Sequence, residues 1–112
     1  MKAIGFKKSL PINEAESFIE FDKEITAPRR EDILVKIEAI SINPVDYKIR
    51  QNAAKDKILD KPKIIGWDAV GTVEAIGELA TFFKVGDKVF YAGDITKEGA
   101  NQEYQLVDER IV

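Results

Sequence analysis

The sequence of 112 residues contains no cysteine and no histidine. That excludes a disulfide framework and removes the thiolate and imidazole donors from which zinc centres are ordinarily built. Carboxylates are present, but no closely spaced Asp/Asn loop of the calcium-binding kind accompanies them. No apolar run is long enough to cross a bilayer as a helix, and no signal-peptide pattern occurs, so no membrane partner is expected and the expected location is cytoplasmic. A strong excess of one charge is also missing: 17 Lys and Arg stand against 20 Asp and Glu, for a net charge of -3. Without a clustered basic excess, nucleic acid is not an expected partner. Neither internal repeats nor low-complexity segments interrupt the chain.

What is present suits one compact domain. The hydrophobic fraction of 45% and charged fraction of 33% are those of a soluble globular protein, and the length is enough for an ordinary core. Lys2 to Phe6 alternates as a first strand, Phe18 to Ile25 as a half-exposed one, and Ile33 to Ile42 as a longer one. In the last of these, Ile33, Val35, Ile37, Ala39 and Ser41 form the better core face. Pro44 ends that strand and suits the first turn of a short helix running from Val45 to about Gln51, with Asn43 as its cap. The segment from Asn52 to Lys63 is charged and is expected to face water. Asp87 to Tyr91 reads as a strand, Gly93 to Gly99 as a hairpin-like excursion, and Ala100 to Val107 as a returning strand. Short strands separated by glycine-bearing turns favour a mainly β, barrel-like domain with one short helix.

The centre of the pattern is Ile64 to Gly77. A turn at Gly66-Trp67-Asp68 leads into a strand with Val70, Thr72 and Glu74 on one side and Gly71, Val73 and Ala75 on the other. Gly66 serves the turn, Gly71 marks a bulge or the close approach of another backbone, and Gly77 ends the strand. Phe83-Lys84-Val85-Gly86-Asp87-Lys88-Val89 follows, with Gly86-Asp87 as a tight turn.

These two segments in this order, with Asn43-Pro44-Val45-Asp46 before them, resemble the amino-terminal catalytic domain of the medium-chain dehydrogenase/reductase superfamily, and within it the quinone oxidoreductase branch. The resemblance spans nearly the whole chain and implies a GroES-like, partly open β-barrel. Zinc-dependent members carry a cysteine ligand at the position of Asn43 and a histidine-glutamate pair at Trp67-Asp68. An amide and an indole are poor zinc ligands at neutral pH, so no catalytic zinc is expected. The branch then implies NADPH-dependent reduction of a quinone or an activated alkene such as an enone or enal. In that role the protein orients and polarises the acceptor and the cofactor brings the hydride.

Carried over by resemblance, Asn43, Pro44, Val45, Asp46 and Tyr47 are cofactor-side residues, and Asn43, Tyr47 and Trp67 are candidates for the chemistry. Each also has a plainer reading. Asn43 caps the helix, Asp46 answers the helix dipole, Tyr47 is an exposed helix tyrosine, and Trp67 fills space left by a lost metal site. Lys48 departs from the tyrosine often found in related reductases. Asp68 is expected to orient the Trp67 backbone or to pair with a cation.

The superfamily places a nucleotide-binding domain after this one, and no G-x-G-x-x-G between a strand and a helix occurs in these 112 residues. The resemblance therefore implies an amino-terminal domain, residues 1–112, whose parent enzyme dimerises through the other domain. The fragment by itself would be inactive, monomeric and a weak binder of NADPH. The competing reading is a free-standing, co-chaperonin-like scaffold module without catalysis.

Overall fold

A computed structural model describes all residues from Met1 to Val112. Its order is β1 (Lys2–Gly5), β2 (Ile19–Asp22), β3 (Asp32–Ser41), α1 (Pro44–Asn52), β4 (Asp68–Ile76), β5 (Lys88–Tyr91), β6 (Tyr104–Asp108) and a closing 3-10 turn, Glu109–Ile111. The mainly β expectation holds. The first two strands form a two-stranded antiparallel sheet, and the other four an antiparallel sheet in the order β5-β4-β3-β6. The sheets stay open. They are joined at one corner, where Ala3 bridges to Gln102 and the Ile4 amide donates to the Asn101 carbonyl at 2.9 Å.

The long central pair, β3 and β4, positions everything else. Their register sets Ser41 opposite Asp68 and Ile33 opposite Ile76, with shifts at Leu34/Val35 and between Ile37 and Ala39. Gly71 sits at the second shift, opposite Ile37. A Cβ built there would lie 2.2 Å from the Lys36 carbonyl oxygen, so β3 approaches as closely as only glycine allows. The expected close backbone approach is thus found, and the bulged residue, Glu38, belongs to the opposing strand.

That bulge also changes the expected core face of β3. Ile33, Leu34 and Val35 are buried in succession, because this half of the strand is flanked by β4 and β6 and covered on both faces. From Glu38 to Ser41 every residue is exposed, including Ala39 and Ser41, which alternation assigns to the core. The reason is pairing: β6 accompanies β3 only from Asp32 to Lys36, and beyond it the strand has a neighbour on one side alone.

The excursion from Gly93 to Gly99 does not close a hairpin. The strands before and after it, β5 and β6, lie at opposite edges of the sheet. The strands near Phe18 to Ile25 and Ala100 to Val107 are real but shorter than alternation suggests.

Two apolar clusters fill the molecule. One, with Ile33, Val35, Val73, Val89, Tyr91 and Val107, lies against the four-stranded sheet. The other gathers Phe6, Ala54, Ile65 and Trp67, with Phe18, Val45 and Ile49 packed around it. Burying a side chain of this size contributes about 1.5–3 kcal/mol, so the second cluster is what holds α1 to the body. Glu109, itself buried, accepts the Thr81 and Phe82 amides at 2.9 Å each and fastens the end of the chain to the turn before β5.

Replacing Gly71 by alanine forces β3 away from β4. We expect a loss of at least ~2 kcal/mol in urea unfolding of this chain; an unchanged midpoint would contradict the tight approach described above.

Candidate active site

Two peptide segments meet at the site because of the β3–β4 register. Ser41 lies opposite Asp68, and Asn43 follows just after Ser41, so the start of α1 is delivered beside the start of β4. Asn43 is the N-cap of α1 with extended backbone angles (φ −128°, ψ 161°), and Pro44 supplies the fixed φ of the first turn. The Asp46 amide donates to the Asn43 carbonyl at 2.9 Å, and the Asn43 amide donates to the Asp46 carboxylate at 3.0 Å.

The side chain of Asn43 goes elsewhere. Its Nδ2 donates to Asp68 Oδ2 at 2.8 Å, and a longer contact of 3.5 Å reaches the Ser41 carbonyl. A carboxylate only accepts hydrogen bonds, so the NH2 side of the amide must face Asp68. The carbonyl oxygen, Oδ1, lies on the side of the Asp46 backbone N–H, in a capping box at the start of α1.

The remaining expected residues are distributed over three environments. Asp46 is only 6% exposed, and its Oδ1 has no hydrogen-bond partner. One helical turn on, Arg50 is also buried; its Nη1 donates to the Leu10 carbonyl at 2.6 Å, and its guanidinium lies 5.6 Å from the centre of the Phe18 ring. Pro44 is exposed, Val45 packs against the second cluster, and Tyr47, in the first half of α1, is 51% exposed. Trp67 is the residue whose place differs most from a cleft wall: it is 2% exposed, packed in the cluster with Phe6 and Ile65, and its indole nitrogen has no partner. That burial agrees with space filling, the plainer of its two readings.

Gly66 makes the turn before it possible. Its φ is +95°, which L side chains rarely adopt, and a Cβ there would lie 2.5 Å from Asn101 Oδ1.

Beside this junction runs an open groove of about 600 Å³, with Ile40, Asp68, Val70, Phe90, Tyr91 and Val112 among its lining residues. Asp68 is its one carboxylate. Phe90 is 81% exposed there, an unusual position for a large apolar ring. The Tyr91 side chain lines the groove as well. Burial pushes its pKa up, and its hydroxyl donates to Gln105 Oε1 at 2.7 Å.

On the neighbouring sheet surface, hydrogen bonds from Lys88 and Thr72 hold the Glu38 carboxyl below its ordinary range, so this carboxylate is also committed.

Sequence reasoning did not find the Asp68–Asn43 bond. The two residues are separated by 25 positions, and only the pairing of β3 with β4 brings them together. Arg50 was equally hidden, since nothing local distinguishes a buried arginine from an exposed one.

No group of three or more His, Cys, Asp or Glu side chains converges as a metal site would require. Asn43 and Trp67 offer an amide already bonded to a carboxylate and a buried indole, and neither fits a zinc ligand.

The match to the alcohol dehydrogenase GroES-like domain covers residues 29–112, and the chain belongs to that family, within the medium-chain dehydrogenase/reductases. It is similar to the zinc-type alcohol dehydrogenase-like protein SAV2186 of Staphylococcus aureus (strain Mu50 / ATCC 700699), at 47% identity over the whole chain and 32% of that protein. A solved structure from Rhizobium etli CFN 42, provisionally described as a zinc-dependent alcohol dehydrogenase, superposes with a TM-score of 0.92 at 47% identity, over 99% of this chain and 32% of the other. The quinone oxidoreductase of Pseudomonas syringae pv. Tomato DC3000 gives a TM-score of 0.79 at 31% identity, over 98% of this chain and 32% of its own. The chain thus spans about a third of the length of these relatives.

The single tryptophan allows a direct check of its place. We expect blue-shifted emission from the folded chain that moves to the red on unfolding, and Trp67→Ala to cost about 3–5 kcal/mol. Emission already at the solvent-exposed position in the native state would put the indole at a surface instead.

Proposed function

We propose that this chain is the substrate-side catalytic domain of an NADPH-dependent, zinc-independent oxidoreductase that reduces quinones or activated alkenes. The observation that carries the reading is the Asn43–Asp68 pair, an ordered polar contact beside an otherwise apolar groove. Nicotinamide and quinone rings both need such surroundings, with flat apolar walls and a few fixed hydrogen-bond groups.

The name zinc-type belongs to the staphylococcal relative; here the donor set argues against the metal. NADPH, when bound, supplies the hydride. In this reading the segment from Asn43 to Tyr47 flanks the nicotinamide, and Asn43 and Asp68 fix its orientation. Pro44 and the Val45 packing hold the helix start rigid, and Asp46 braces the Asn43 backbone. Tyr47, whose phenol is exposed on the same helix, donates the proton to the oxygen on which charge develops. Trp67 contributes by packing beneath the Gly66 turn rather than by touching substrate.

A nucleotide-binding domain following Val112 would complete the cleft, provide dimerisation and hold the phosphates and adenosine. The 112 residues alone would then bind NADPH weakly. A cytoplasmic enzyme acting on small molecules fits this reading.

The test uses the full-length protein: NADPH oxidation with a benzoquinone and with an enone, alongside zinc content by plasma emission. We expect turnover with fewer zinc atoms than chains and no loss on chelation. Tyr47→Phe should lower kcat about a hundredfold and leave KM for NADPH nearly unchanged. One zinc per chain with activity abolished by a chelator would overturn the reading, and full activity in Tyr47→Phe would remove that residue from it.

A further inference from the structure

Charge is unevenly placed in this chain. Lys7, Lys8 and the stretch from Asp46 to Lys63 carry eight Lys and Arg against three Asp, a net +5; the total is -3, so the remainder stands at -8. The fold gathers these residues on one face. The Lys8 ammonium donates to the Lys55 carbonyl at 3.0 Å, the Leu59 amide donates to the Lys7 carbonyl at 2.8 Å, and Phe6 bridges to Lys63. Every ion pair lies elsewhere. The paired cations are Lys2, Lys23, Lys84, Lys88 and Arg110, so none of the eight has a carboxylate partner.

Within this face, just past the end of α1, runs an open groove of about 500 Å³ lined by Ala53, Lys57, Leu59, Asp60, Lys61 and Lys63. It shares no residue with the groove beside Asp68. Two of its walls are apolar, and its three ammonium groups and one carboxylate leave it at +2. The dipole of α1 accounts for Arg50, in the last helical turn, but not for three further lysines around a concavity. Like charges held there repel one another, and an anion placed among them removes that repulsion.

We infer that this groove binds a phosphate monoester with an apolar body. Such an ester carries about two negative charges at neutral pH, which balances the groove, and lysines meet phosphate as point charges. Ala53 and Leu59 receive the apolar part. The bonds from Leu59 to Lys7 and between Phe6 and Lys63 hold the groove in shape before the ligand arrives. This site does not depend on the hydride chemistry proposed above.

Phenyl phosphate titrated into the 15N-labelled 112-residue chain provides the test. Amide shifts should concentrate at residues 53–63, Lys7 and Lys8, and saturate with a Kd on the order of 1 mM at low salt. Lowering the pH from about 7.5 to about 5 removes one phosphate charge while the lysines stay protonated, and should weaken binding several-fold. Inorganic phosphate, which has the charge without the apolar body, should bind at least about threefold more weakly. Lys57→Gln with Lys61→Gln alters two exposed side chains and should cost at least about tenfold in affinity. Lys57→Arg with Lys61→Arg should keep most of it. Lys36→Gln with Lys97→Gln, at exposed positions outside the groove, should change nothing.

Shifts spread over lysines across the whole surface without saturation would show diffuse attraction only and overturn the inference. Equal losses in the two glutamine variants would do the same. Inorganic phosphate binding as tightly as phenyl phosphate would overturn the ligand class. Should the Lys57/Lys61 glutamine variant fail to fold, the location of the wild-type shifts and their pH dependence still decide.

Discussion

A single hydrogen bond, from the Asn43 amide to the Asp68 carboxylate, joins the two halves of the site, and much of the fold exists in a form that permits it. The donor follows the end of β3 and the acceptor opens β4. Their meeting requires the β3–β4 register, and that register is tuned by the extra residue at Glu38 and by the absence of a side chain at Gly71. A one-residue slip would move Asp68 to the other face of the sheet. Behind the bond, Asp46 steadies the helix start, and the cluster around Phe6, Ile65 and Trp67 keeps α1 against the body. The polar contact is thus a product of packing at a distance from it.

The features legible in the sequence are those fixed by local sterics. Pro44 starts a helix because its φ is already helical, Gly66 turns the chain at a positive φ, and Gly71 marks the close approach of a neighbour. What could not be read depends on pairing between distant segments. Alternation gives β3 one core face, yet its burial changes halfway along, where β6 ends and a bulge shifts the register. A tryptophan in a turn reads equally as a cleft wall or as core, and the cluster that receives it is assembled from Phe6, Ala54 and Ile65. The polarity of Asn43 was likewise invisible, since an asparagine shows its donor or its acceptor according to the partner it meets.

Family membership does not by itself settle the chemistry of a chain's own residues. The chain belongs to the alcohol dehydrogenase GroES-like family, and its relatives include proteins named for zinc and proteins named for quinones. At the positions where zinc-dependent members resemble one another, this chain has an amide, a buried indole and a carboxylate already bonded to that amide.

The central claim is the direction of one amide, and it can be observed without reference to activity. Scalar coupling across the hydrogen bond, between Asn43 15Nδ2 and Asp68 13Cγ, measures it in solution on the labelled chain. A resolved coupling that disappears in Asp68→Ala is the predicted result. No coupling in the folded protein, with both side-chain protons of Asn43 exchanging as fast as those of a free amide, would contradict it.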